Sequence, residues 1–246
     1  MNYKGFEKDM KCRGFQYEED FRTKKETSAD EKCGVSLATG YCGSSLATGY
    51  YGVSLETGYC GTSSSTGYKG TSLATGYKGA SSAIGDYGAS SAIGCKGSSS
   101  ATGYCGVSLA TGYCATSSAT GYKGVSLATG YKGVSSATGY KGVSSATGYC
   151  GVSSVTGYKG ASSAGNATAV AVAWGACSKA KGVVGSHLVF AEWEYGGNTE
   201  NDHEKADAGI DSWAFKGAKM VVVDGENIKP NIWYTLKDGK IEEVEE

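Results

Sequence analysis

From Gly34 to Lys159 the chain repeats a nine-residue unit fourteen times without a single insertion. The consensus is G-V-S-L-A-T-G-Y-K. Position three is Ser in every unit, from Ser36 to Ser153, and position seven is always Gly, from Gly40 to Gly157. Position one departs from Gly only at Ala115. Position five departs from Ala at Glu56, Ser65 and Val155, position six from Thr at Ile84 and Ile93, and position eight from Tyr at Asp86 and Cys95. Gap-free phasing of this kind marks a solenoid, in which each unit stacks on its own copies. A flexible Gly/Ser linker needs no phase and no Tyr, Val or Leu at fixed places.

Nine residues are too few for a helical hairpin. Val, Thr and Tyr between paired glycines suit a short strand and a tight corner. Positions two to six form the strand, and positions seven to one form the corner. Leu occupies position four in five odd units (Leu37, Leu55, Leu73, Leu109, Leu127) but in only one even unit, at Leu46. That alternation predicts an all-β, two-sheeted β-solenoid (a β-roll) with eighteen residues per coil and one strand in each sheet. Seven such coils make a rod about 34 Å long. A nine-residue coil is the alternative.

Strand alternation separates positions three and five from positions two, four and six. Position four exchanges Leu for Ser freely, which a packed interior does not allow without cavity or clash. Ser and Ala are therefore expected inside. The outward rows are then Val35, Leu37 and Thr39; Val53, Leu55 and Thr57; Leu73 and Thr75; Val107, Leu109 and Thr111; and Val125, Leu127 and Thr129. The inverse arrangement, with Val and Leu inside, buries more apolar area and stays open at this point. The outward arrangement yields a regular apolar patch of the kind that usually meets a partner.

The organisation read from the sequence is an N-terminal cap over 1–33, the solenoid over 34–165 and a β cap over 166–246. Phe6, Phe15, Tyr17 and Phe21 are available to cover the first coil. Thr168–Trp174, His187–Tyr195 and Ala218–Val223 read as strands, and 233–244 reads as a hairpin about Asp238-Gly239. The stretch 198–209 is polar and reads as a mobile loop. An open coil end is an unpaired strand edge, so caps are needed.

YKGFEKDMKCRGFQYE at 3–18, the ATGY-type repeats and VDGENIKPNIWYTLKDGKI at 223–241 resemble uncharacterised proteins from phages and prophages of gut bacteria. The resemblance implies an origin and carries no activity. AVAWGACSKAKG at 171–182 is similar to the head repeat of trimeric bacterial adhesins, G-x-x-S-x-A-x-G, which implies a β-roll of stacked coils. The spacing of nine instead of seven departs from that family and puts its trimer in question.

Composition bounds the chemistry. With 40 Gly but one Pro in 246 residues and no Gly-X-Y period, collagen is excluded. No run of eighteen apolar residues suggests a membrane span. The opening MNYKGFEKDMKCRGF has no apolar core, so a cytoplasmic location with reduced thiols is expected. None of the nine cysteines forms a C-x-x-C pair, which gives zinc little support. In an eighteen-residue coil Cys42 and Cys60 stack on one edge within disulfide range, whereas Cys105 and Cys114 fall on opposite edges. His187 reads as a structural strand residue and His203 as a solvated one. No nucleophile or metal-ligand spacing surrounds either, so no enzyme and no cofactor are expected.

Two further binding chemistries fit the pattern. Tyr104, Tyr122, Tyr140 and Tyr158 share an edge with Lys123, Lys141 and Lys159, as a ligand or single-strand nucleic-acid track would need. Only seven Lys over the repeat and a net charge of -1 make that field sparse. The Thr rows give a lattice of roughly 6.7 by 4.8 Å, which resembles the ice-binding face of β-solenoid antifreeze proteins. The leading expectation is a non-enzymatic structural or binding protein that associates with itself through the Val/Leu/Thr face.

Overall fold

The computed structural model describes residues 11–12, 15–16, 34–207 and 212–245. The proposed N-terminal cap, including Phe6, Tyr17 and Phe21, lies outside them apart from a short antiparallel pairing of Lys11–Cys12 with Phe15–Gln16.

Each unit of the repeat forms a strand over positions two to six, beginning with Val35–Thr39, Ser44–Thr48 and Val53–Thr57. From Val143–Ala146 to Lys179–Gly182 the strands shorten to four residues. Hydrogen-bonded neighbours are eighteen residues apart and parallel: Val107 faces Val125 and Thr111 faces Thr129, and Ser98 faces Thr116 in the other sheet. Odd units build one sheet and even units the other. The coil therefore holds eighteen residues, and a nine-residue coil is excluded.

Positions three and five point inward throughout. Ser108 and Ala110 are completely buried, as are Ser126 and Ala128 one coil on. Positions two, four and six face outward, so Val and Leu are not in the interior. Burial of a hydroxyl is costly unless it is hydrogen-bonded. The serines meet that condition among themselves. From Ser54 to Ser153 each Oγ donates across the interior to the Ser Oγ nine residues earlier at 2.9 Å, as from Ser99 to Ser90 and from Ser108 to Ser99, and Ser162 Oγ lies 2.7 Å from Ser153 Oγ. The chain of hydroxyls is unbroken from Ser45 to Ser162.

The corners explain the invariant Gly. At position seven Gly76 has φ +146°, and a Cβ there would lie 1.5 Å from the carbonyl oxygen of Gly58, its counterpart one coil earlier. No side chain fits. At position nine the chain turns left-handed without glycine: Lys69, Cys105, Lys123 and Lys141 all have φ between 53° and 57°. Non-glycine residues in that region store about 1 kcal/mol or more each. Repetition of the corner hydrogen bonds, such as Lys69 N–H to Asp86 O at 2.8 Å, holds them there.

Coil geometry runs on past Gly165, where the sequence motif dissolves. Val170–Ala173 pairs in parallel with Val152–Val155, Lys179–Gly182 with Ala161–Ala164, and His187–Phe190 with Val170–Ala173. The even sheet then ends in Trp213–Val222, antiparallel to His187–Tyr195. The odd sheet ends in the hairpin Trp233–Lys237/Lys240–Val244. Its turn is at Asp238-Gly239, both with positive φ, as a two-residue hairpin loop requires. Along this stretch the inner positions change from Ser to Ala171, Ala180 and Leu188. With Phe190, Val223, Tyr234 and Leu236 they form the apolar core that closes the rod.

The stretch 198–209 does not read out as a loop throughout. Asp202–Asp207 is a short helix. It is held to the solenoid by Lys159 Nζ on Asp202 at 2.6 Å and by Tyr158 Oη donating to Asp202 at 3.1 Å. Sequence reasoning misses it because the anchors lie more than forty residues away.

Candidate functional site

Three surfaces carry the residues singled out by the sequence. The first is the outer face of the odd sheet. Register places Val35 beside Val53, Leu37 beside Leu55 and Thr39 beside Thr57, and the rows continue through Leu73 and Thr75. Val107, Leu109 and Thr111 adjoin Val125, Leu127 and Thr129 in the same way. Between these two blocks lies the rung Ala89–Ile93, which contributes only Ala, Ser and Ile outward. Leu37 is 50% and Val107 42% exposed. The thin interior has little room for them, because its inward positions are filled by Ser and Ala, with Glu56 and Val155 as exceptions. Part of the Thr row bonds to itself: Thr129 Oγ1 donates to Thr111 Oγ1 at 3.1 Å.

The second is the pair of edges, where tyrosines stack one per coil. On the even edge the run is Tyr50, Tyr68, Tyr87, Tyr104, Tyr122, Tyr140 and Tyr158, with ring centres 4.7–6.0 Å apart. Tyr158 passes the stack on to Trp213 and Tyr195. Where Asp86 replaces the ring, Tyr87 enters from position nine, edge-on to Tyr68 and tilted to Tyr104, while Asp86 Oδ1 accepts from the Tyr104 N–H at 2.9 Å. The ammonium groups of Lys123, Lys141 and Lys159 lie 5.0–5.5 Å from the rings that precede them. His203 is exposed, as expected, and its ring stacks on Tyr122 at 5.5 Å and lies against Tyr140. Most rings on this edge are thus packed against their own neighbours, face to face at Tyr50–Tyr68, Tyr104–Tyr122 and Tyr140–Tyr158. On the odd edge Tyr41, Tyr59 and Tyr77 form one stack and Tyr113, Tyr131 and Tyr149 another.

The third is the junction of solenoid and cap, where the even edge ends. Lys141, Lys159, Cys177, Trp193, Leu236 and Lys237 are among the residues lining a cavity of about 630 Å³ there. Lys159 donates to Asp202 and holds that carboxyl below its ordinary pKa. Cys177 is pushed up by burial.

One feature has no counterpart in the expected sites. Glu56 stands in an Ala position and is fully buried, with neither carboxylate oxygen hydrogen-bonded. Its head occupies the corner beside Gly61, where a Cβ would meet Oε2 at 1.3 Å. Burial raises its pKa to about 7, opposed by the nearby Gly43 amide. The thiols of Cys42, Cys60, Cys95, Cys105, Cys114, Cys150 and Cys177 are unbridged. Cys42 has its pKa raised by burial first and then by the adjacent Cys60. His187 sits in a strand of the cap core. No family model, no curated protein and no solved structure matches the chain.

Proposed function

We propose that the chain is a non-enzymatic structural or binding rod that displays rows of identical side chains, and that its first partner is a second copy of itself docked through the Val/Leu/Thr face. One observation carries this reading. The aliphatic residues that a globular domain buries lie on the outside of this one, in register, while the interior is Ser and Ala. A lattice with one rung spacing matches most closely a surface with the same spacing, which is its own. The seven repeat rungs of the odd sheet, Val35–Thr39 to Val143–Ala146, give a face of roughly 34 by 17 Å. Two copies would bury about 1,150 Å² in total, at the lower end of specific interfaces.

Sedimentation of the purified protein tests this. Association that strengthens with concentration is expected, together with its loss in the double variant Leu55→Lys/Leu109→Lys. A wild-type protein that stays monomeric at about 1 mM overturns the proposal. The ice-binding alternative is less well supported, since Ile84 and Ile93 interrupt the Thr rows in mid-rod and Thr111 and Thr129 engage each other. A nucleic-acid track along the even edge is weakened in the same way, because most of its rings are already packed against their neighbours.

A further inference from the structure

We infer that the rung Ala89–Lys96 forms a binding groove for one planar aromatic anion, with Tyr77 and Tyr113 as its walls. The inference does not depend on self-association.

It rests on a contrast between the two edges. Each loses one Tyr from position eight, at Asp86 and at Cys95. On the even edge Tyr87 fills the vacancy, with ring centres 5.4 Å from Tyr68 and 5.7 Å from Tyr104. On the odd edge position nine of the affected unit is Lys96, so no ring enters. Tyr77 has one face on Tyr59 at 5.0 Å, and Tyr113 has one face on Tyr131 at 4.7 Å. Register sets the Cys95 rung between them, one rung from each. Two rung spacings put the ring centres about 10 Å apart. One aromatic plane placed midway would then sit about 5 Å from each ring centre, the spacing the protein uses between its own tyrosines.

The outer face thins at the same rung. Ser91 lies between Leu73 and Leu109 in the row of position four. The gap at the edge and the dip in the face fall on one rung, with the exposed Ile93 between them. Its charge selects the ligand. Lys78 and Lys96 flank the groove and are exposed, and the one acidic residue in the odd units of the repeat is Glu56, which is buried. A flat ring bearing a phosphate or carboxylate satisfies both features: stacking on the tyrosines and charge on the lysines.

Adenosine 5′-monophosphate is the probe, titrated calorimetrically into the intact protein, with adenosine and inorganic phosphate as separate arms. One site per chain is expected, with adenosine weaker and phosphate alone far weaker. Cys95→Tyr should complete the ladder and reduce affinity at least tenfold while circular dichroism stays that of the parent. Tyr113→Ala should also weaken binding about tenfold or more. Absence of binding at several millimolar nucleotide overturns the inference. So does affinity unchanged in both variants, or inorganic phosphate binding as well as the nucleotide.

Discussion

Ser54 Oγ donates to Ser45 Oγ at 2.9 Å across the middle of the rod, and Ser63 Oγ in turn reaches Ser54. The two sheets are thus joined by hydroxyls where most β-sandwiches interdigitate aliphatic side chains. Several even-unit serines have a second acceptor. Ser117 Oγ lies 2.9 Å from both the Ser108 carbonyl and the Ser108 Oγ. Ser126 Oγ has only Ser117 Oγ.

This asymmetry predicts unequal costs for the same substitution. Ser108→Ala leaves Ser117 its carbonyl acceptor and should cost about 1 kcal/mol. Ser117→Ala leaves the buried Ser126 hydroxyl without an acceptor and should cost about 2 kcal/mol. Urea midpoints of the two variants, measured side by side, check the order. Equal midpoints would mean the hydroxyl chain contributes only volume.

Glu56 predicts a pH dependence of stability. Its folded pKa of about 7 stands above the ordinary 4.5. Below 4.5 both folded and unfolded chains hold the proton, and there is no penalty. Between 4.5 and 7 the folded chain keeps a proton that the unfolded chain releases, so stability falls as pH rises. Above 7 the penalty is constant at about 3 kcal/mol, taking 1.36 kcal/mol per unit. Glu56→Ala should therefore be more stable than the parent at pH 8, and should lose most of the difference in stability between pH 5 and pH 8. Denaturant titrations at the two pH values give the comparison.

The period, the coil length and the inward Ser and Ala were legible because each is a one-dimensional pattern, set by strand alternation and repeated in every unit. The Ser-to-Ser bonding was not, since it depends on how two facing sheets are offset. Nor was the left-handed corner at position nine, where Lys and Cys carry a conformation usually given to Gly or Asn. Tyr87 replacing Asp86 in the stack required knowing that positions eight and nine can exchange sides of the corner. The helix at Asp202–Asp207 is too short to announce itself by periodicity and is fixed by Lys159, Tyr158, Tyr122 and Tyr140. The continuation of coils beyond Gly165 was hidden because Val, Ala and Lys there replace the motif while keeping its backbone path.

The cysteines give a chemical measure of the coil. Cys42 and Cys60 occupy the same corner position on successive coils, with Cys60 N–H bonded to Tyr41 O at 2.8 Å. Their Cα atoms are one rung apart, about 4.8 Å, which a disulfide spans. Diamide at neutral pH should link them within one chain, as peptide mapping would show. Cys105 and Cys114, though nearer in sequence, lie on opposite edges and should remain unlinked to each other. A Cys105–Cys114 bridge in the monomer would contradict an eighteen-residue coil.

Glycines at the two corner positions should differ sharply in tolerance. At position one, a Cβ on Gly79 would lie 3.3 Å from the Ala74 Cβ and from its carbonyl carbon and oxygen, so that neighbour must give by a few tenths of an ångström. Ala115 occupies that position naturally and is buried without disruption. Gly79→Ala should therefore cost about 1 kcal/mol or less. At position seven, Gly76→Ala would drive its Cβ into the Gly58 carbonyl and also force Ala to φ +146°. No side-chain rotation relieves a clash between backbone and Cβ, so the two coils must separate and lose their corner hydrogen bond. A loss of about 4 kcal/mol or more is expected, at the far end of what single substitutions do. Thermal melts of the two variants distinguish them, and a Gly76→Ala protein as stable as Gly79→Ala would show that the coils do not approach this closely.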